Sequence, residues 1–224
     1  MGSMQTPASE SPPALRGGRL RRLSPWVLPL GAACVMAATT ACYLVYRAQA
    51  LPNHLDRVRR HVLYRSAQPE GRQQWAFLHR HGIKTVVNLR PAREDPLAFQ
   101  QERHACRAAG ARMVSLPLST TLPSDEQVLR FLRAVKWNAP VLVHCEHGRG
   151  RTGVMVAAYQ VILGRKSARQ AEKDMLQHGW TPVDSDDLHE VRQLLARLER
   201  DRPQWLTIVD ASPGAASQAG SGNS

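Results

Sequence analysis

Cys145 is separated from Arg151 by five residues, among them Gly148 and Gly150, and Thr152 follows directly. Ahead of this stretch, Val141-Leu142-Val143 runs apolar into His144 and reads as a buried strand; behind it, Val154–Leu163 reads as a helix. Between the two, the glycines let the backbone curl and turn several N–H groups inward. Those groups and the positive end of the helix dipole make an anion cup with a thiol at its base. A cysteine at a helix N-terminus beside arginine is a thiolate near neutrality. A thiolate under an anion cup is a nucleophile aimed at phosphorus.

The elements that must carry this loop follow from periodicity and punctuation. Val62–Ser66 alternates as a short strand, and Trp75, Leu78 and His79 make a helical stripe that Gly82 ends. Lys84–Leu89 is β-branched and short enough for a buried strand, Leu97–Ala109 reads as a helix, and Arg112–Leu118 as a further strand. Ser124 with Gln127 forms a capping box ahead of the apolar face Val128, Phe131, Leu132 and Val135. Helices are also expected from Ser167 to Gln177 and over Asp184–Arg200. This alternation predicts an α/β fold, a mostly parallel sheet of four to five strands flanked by helices. The cysteine loop then sits at the C-terminal ends of the strands, where such sheets hold ligands.

The run His-Cys-x5-Arg-Thr-Gly resembles the phosphate-binding loop of the cysteine-dependent protein tyrosine and dual-specificity phosphatases. Leu63-Tyr-Arg-Ser-Ala-Gln-Pro69 and Gly82-Ile-Lys-Thr-Val-Val-Asn-Leu-Arg90 resemble the opening of the small bacterial dual-specificity-like members. Periplasmic tyrosine phosphatases that regulate biofilm formation belong to that group. The likeness covers roughly Leu63 to Arg197. It implies a dual-specificity phosphatase-like fold and hydrolysis of phosphomonoesters through a cysteinyl-phosphate. Phosphotyrosine proteins are the expected substrates, with dual specificity left open, and neither cofactor nor metal is called for.

In that reading Cys145 attacks phosphorus and Arg151 holds two phosphate oxygens in its planar fork, which lysine does less well. The backbone N–H groups of Glu146, His147, Gly148, Arg149, Gly150 and Arg151 bind the other oxygens. Thr152 either donates to the sulfur as it leaves or only caps the helix. His144 is expected to order the loop. Arg90 and Arg93 either add phosphate contacts or line a solvated loop.

One departure stands out. The resemblance implies an aspartate on a mobile upstream loop that protonates the leaving oxygen. Here Leu116–Pro123 stands in that place without a carboxylate, and Thr121 takes the expected position. Asp125 is the expected substitute, although a helix start favours its ionised form; Glu126, Asp184 and Asp186 are the other choices. Without a good acid, phenolic leaving groups are favoured over alkyl ones. Three other readings stay open. One is an inositol-phosphate or phosphoinositide phosphatase, for which Arg149 argues and Glu146 argues against. The second is a phospho-binding pseudophosphatase. The third is a sulfur-transfer enzyme, which the Arg-Thr-Gly ending disfavours.

The 224 residues carry 30 Lys and Arg against 18 Asp and Glu, a net charge of +12. The arginines are scattered with no aromatic-interleaved patch, which argues against nucleic acid. An anionic membrane surface or phosphorylated substrates suit the charge better. Residues 1–24 are expected to be a disordered basic segment, whose Met1–Thr6 formally fits a myristoylation pattern. Trp26–Tyr46 is uncharged over the length of a membrane-crossing helix, with Trp26 at one end and Tyr43 and Tyr46 at the other. Residues 25–46 are therefore expected to anchor a monomeric catalytic domain, residues 51–205, at a bacterial inner membrane, on its periplasmic side. Ala48-Gln49-Ala50 keeps a cleaved signal peptide open, and the arginines on both flanks nearly cancel as orientation signals. Residues 206–224 are expected to be a loose tail. Cys34 and Cys42 fall in the proposed anchor, so the cysteines form neither a disulfide scaffold nor a zinc site. Cys106 is expected to pack inside its helix.

Overall fold

The computed structural model describes residues 27–49, 51–119, 121–182 and 185–211. The expectations for residues 1–24, Trp26, Asp184 and the chain beyond Ala211 lie outside the described residues. The chain divides into two compact units, Met1–Leu44 and Val45–Ser224. Helix α1 (Val27–Gln49) occupies the stretch expected as an anchor, and its side chains from residue 29 to 45 are exposed. Among the described residues, no helix is long and apolar enough to cross a membrane.

The second unit is built on a five-stranded sheet: β1 (Asp56–Arg59), β2 (Leu63–Ser66), β3 (Thr85–Asn88), β4 (Arg112–Ser115) and β5 (Val141–His144), in the order β1-β2-β5-β3-β4. Only β1 runs antiparallel to its neighbour; β2, β5, β3 and β4 are parallel. The three central strands are buried on both faces, as the runs in β3 and β5 predict and as the alternation of β2, with its buried Arg65 and Ser66, does not. Alternate residues feed two cores. On one face Tyr64, Val86 and Leu142 meet Trp75, Phe77 and Leu78 of α2 (Gly71–Arg80) and Cys106 of α3 (Pro96–Ala108). On the other face Leu63, Val87, Val141 and Val143 pack under α4 (Asp125–Trp137), α5 (Gly150–Ile162), α6 (Ala168–Gln177), α7 (Ser185–Arg200) and α8 (Arg202–Asp210).

Local chemistry sets the boundaries. The capping box at Ser124 forms, with Gln127 N–H donating to Ser124 Oγ and Ser124 N–H donating to Gln127 Oε1. Asp95 caps α3 by accepting from Ala98 N–H at 2.9 Å, and Pro96 occupies the first turn. Cys106 is buried in α3 as expected, and burial with the nearby Glu102 charge pushes its thiol up to about 12. Two elements are corrections. β1 was not expected, because Asp-Arg-Val-Arg offers one apolar side chain to the core. The tail expected from 206 does not start there, since α8 runs to Asp210 and buries Trp205 and Val209.

Candidate active site

Strand β5 delivers His144 and Cys145 to the C-terminal edge of the sheet, level with Ser66 of β2 and Asn88 of β3. The loop from Cys145 to Arg149 then turns into α5, whose first bond runs from Gly153 N–H to Arg149 O at 2.8 Å. Cys145 is 3 % exposed, while Glu146, His147 and Arg149 are exposed around it. The loop therefore has a buried sulfur beneath a polar rim.

The loop's shape is braced from β2. Buried Arg65 donates to Gly148 O at 2.7 Å, and Gln68 N–H donates to Glu146 O at 3.0 Å. Gly148 sits at φ +70, and a Cβ there would lie 2.5 Å from Ala67 N and from Ser66 C and O. Only glycine fits. Gly148→Ala is expected to lower kcat/KM by about a hundredfold, the scale of a small misplacement of reacting groups. Steady-state kinetics on a phenolic phosphate checks this, and wild-type turnover would refute the steric argument.

Arg151, on the first turn of α5, is gripped from outside the loop. Its Nη1 and Nη2 donate to Glu94 Oε1 and Oε2 at 2.8 and 3.1 Å, and Nη1 also reaches Leu118 O at 3.4 Å. Glu94 is held below the usual carboxylate range, chiefly by the hydrogen bonds from Arg151. Arg90, expected to contact phosphate or solvent, instead donates to Glu94 Oε2 at 3.4 Å and is mostly covered. Arg149 meets His54 Nε2 at 2.8 Å, and burial together with the Arg149, Arg65 and His147 charges lowers the His54 pKa. Thr152 is fully buried, and its hydroxyl has no hydrogen-bond partner among the described residues.

The structure places the expected acid, Asp125, in an ion pair. Asp125 accepts from Arg197 Nη1 and Nη2 at 2.8 and 2.6 Å, joining the start of α4 to the end of α7. Those bonds hold its carboxyl below the usual range, so it is ionised and poorly suited to donate a proton. Glu126 is exposed, and Asp184 lies outside the described residues. Asp125→Asn is expected to leave turnover unchanged; a loss of about a hundredfold, the size of a missing acid, would restore Asp125 as donor. The ion pair is largely exposed, so its stabilisation is small. Because the folded-state pKa is depressed, that stabilisation is full above the ordinary aspartate range and is lost as pH falls through the lower folded value. The melting-temperature gap between wild type and Asp125→Asn should therefore close in acid.

Sequence reasoning missed Glu94, Arg65 and Glu102. Each carried a faint signal: Arg65 is a charge within a buried strand, Glu102 a carboxylate on the inward face of α3, and Glu94 follows a central parallel strand.

A family described as DSP-PTPase phosphatase fused to NAD+ kinase matches residues 38–192. The dual specificity protein phosphatase TpbA of Pseudomonas aeruginosa (strain UCBPP-PA14) is 35% identical over 132 residues, 58% of this chain and 56% of that protein. The chain thus spans about half the length of the curated relatives it matches. The crystal structure of P. aeruginosa TpbA superimposes with a TM-score of 0.54 at 30% identity, over 69% of this chain and 91% of that one. The catalytic domain of the PP-IP phosphatase SIW14 from S. cerevisiae shares the fold, with a TM-score of 0.55 at 21% identity over 70% and 96% of the two chains.

Proposed function

This chain belongs to the DSP-PTPase phosphatase family, and from that premise we propose that it hydrolyses phosphomonoesters, protein phosphotyrosine first among them, with Cys145 as nucleophile. The observation that carries the reading is the cup itself: a buried sulfur under a loop whose glycine, bracing arginine and oriented guanidinium each have a geometric reason.

In the first step the Cys145 thiolate forms an S–P bond as the P–O bond to the leaving group breaks. The loop amides and the Arg151 fork meet the equatorial oxygens. The leaving oxygen takes a proton from an acid or from water. Water then attacks the cysteinyl-phosphate, the S–P bond breaks, and phosphate leaves as the thiolate is restored. Leu116–Pro123 holds no carboxylate, and Asp125 is engaged elsewhere. A phenolate, which departs without an acid, suits such a site better than an alkoxide.

A second reading, an inositol-phosphate or phosphoinositide substrate, draws on the rim of His54, His147 and Arg149. Glu146 in the same rim opposes a polyanion. Comparing hydrolysis of phosphotyrosine and phosphoserine peptides, a soluble inositol polyphosphate and phosphoinositide vesicles by the full chain separates these. The expected result is a kcat/KM for the phosphotyrosine peptide about a hundredfold above that for phosphoserine, the scale of a missing acid. Faster release from the inositol substrates would move the assignment to the second reading. The further placement of the domain at a bacterial membrane, on the periplasmic side, rests on the uncharged run Trp26–Tyr46. Retention in the membrane fraction after an alkaline carbonate wash tests it.

A further inference from the structure

A carboxylate buried away from water is costly unless its oxygens are met by donors. Glu102 on α3 is fully buried, and three side chains meet it. Oε1 faces His144 Nε2 at 2.9 Å; Oε2 accepts from Asn88 Nδ2 at 2.5 Å and from Gln68 Nε2 at 3.3 Å. The Asn88 amide is fixed independently, because its Oδ1 accepts the Arg90 backbone N–H at 2.7 Å. His144 and Asn88 lie level on β5 and β3, and Gln68 follows the end of β2. One carboxylate therefore ties together the edges from which the cysteine loop, the Glu94 loop and the bracing loop all leave.

The other face of His144 points at the nucleophile's backbone. Nδ1 lies 3.4 Å from Cys145 O, and Trp75 packs edge-on against the ring, with centroids 6.5 Å apart. Both ring nitrogens thus face oxygen. A carbonyl only accepts, so Nδ1 carries a proton. The 2.9 Å contact between Nε2 and Oε1 then needs a second proton shared between that nitrogen and oxygen. The other titratable neighbours are Cys106, which shares α3 with Glu102, and Arg65 of β2, which donates to Gly148 O in the cysteine loop.

We propose that Glu102 is a positioning residue for the nucleophile: it locks the His144 ring with Nδ1–H on the Cys145 carbonyl and so fixes the backbone from which the sulfur rises. Only the turnover readout of this proposal rests on the phosphatase reading. Glu102→Gln keeps the volume, yet its amide must turn N–H₂ to His144, which then accepts at Nε2; the bond from a carboxylate that holds the ring becomes a weaker bond from a neutral amide, and the ring is held more loosely.

The test uses the full chain. In Glu102→Gln, kcat is expected to fall roughly ten- to hundredfold, the usual effect of losing a supporting partner behind a reactive group. KM should hold, because Arg151 and the loop amides are untouched. Iodoacetamide should alkylate Cys145 more slowly at neutral pH by a similar factor. In ¹⁵N-histidine spectra, assigned with His144→Gln, the wild-type ring should show Nδ1–H, and Glu102→Gln should lose the proton at Nε2. Glu102→Asp, which keeps the charge, should recover part of the rate and of the signal. A wild-type spectrum with bare Nδ1 overturns the proposal, and it decides the matter even if Glu102→Gln fails to fold. So does a Glu102→Gln protein with wild-type kcat and alkylation but a lower melting temperature, which would be a clamp and nothing more. If the wild type hydrolyses no phosphate ester, the function above fails, while alkylation and ring spectra still judge Glu102.

Discussion

Cys145→Ser is expected to abolish turnover of a phenolic phosphate, by about 10⁵-fold or more, while leaving the fold and phosphotyrosine-peptide binding in place. The serine hydroxyl is isosteric but neutral, and no described side chain beside it is arranged as a general base: His144 is committed to Glu102 on one nitrogen and to a backbone carbonyl on the other. Binding survives because the oxygen-holding groups, the loop amides and Arg151, do not include the sulfur. In the proposed mechanism the sulfur is an anion beneath an anion site, so its removal also removes repulsion and the variant should hold ligand at least as tightly as wild type. Steady-state kinetics with a phosphotyrosine-peptide pulldown reads both halves. Turnover within about tenfold of wild type would mean that phosphorus never bonds to this sulfur.

Arg151→Lys carries the second-largest expected effect, a loss of about 10³-fold in kcat/KM. The guanidinium has two jobs that need its planar fork. Its Nη groups take both oxygens of Glu94, and Nη1 also reaches Leu118 O, while the remaining N–H groups are left for the anion. A single ammonium cannot do both. It sits on Glu94, which Arg90 also holds, and leaves the phosphate, or the reverse. The loss should fall mainly on kcat, since charge on the equatorial oxygens is redistributed in the transition state. A loss confined to KM would recast Arg151 as a simple counter-ion.

Much of this site was legible because its signals are local. The strand, glycine loop and helix around Cys145 lie within one continuous stretch, and the capping box at Ser124 needs four residues. What stayed hidden depends on pairs far apart in the chain. Glu94 reaches Arg151 across 57 residues, Arg65 reaches Gly148 across 83, and Glu102 reaches His144 across 42. No periodicity reports such pairs; only strand order brings them together. The partner of Asp125 was hidden for the same reason, since Arg197 lies 72 residues on. β1 escaped because this edge strand has no fully buried side chain, and α8 because Pro203, lodged in its first turn, reads as a stop.

The helix that opens the anion cup is buried from Thr152 to Ile162 and packs against β2, β5, α4, α6, α7 and α8. It is the central post of the larger core, and none of these six elements can be peeled off without wetting it. Cooperativity follows: heat inactivation and loss of structure should share one midpoint. A damaged copy of this domain should then have no half-folded state that still turns over substrate.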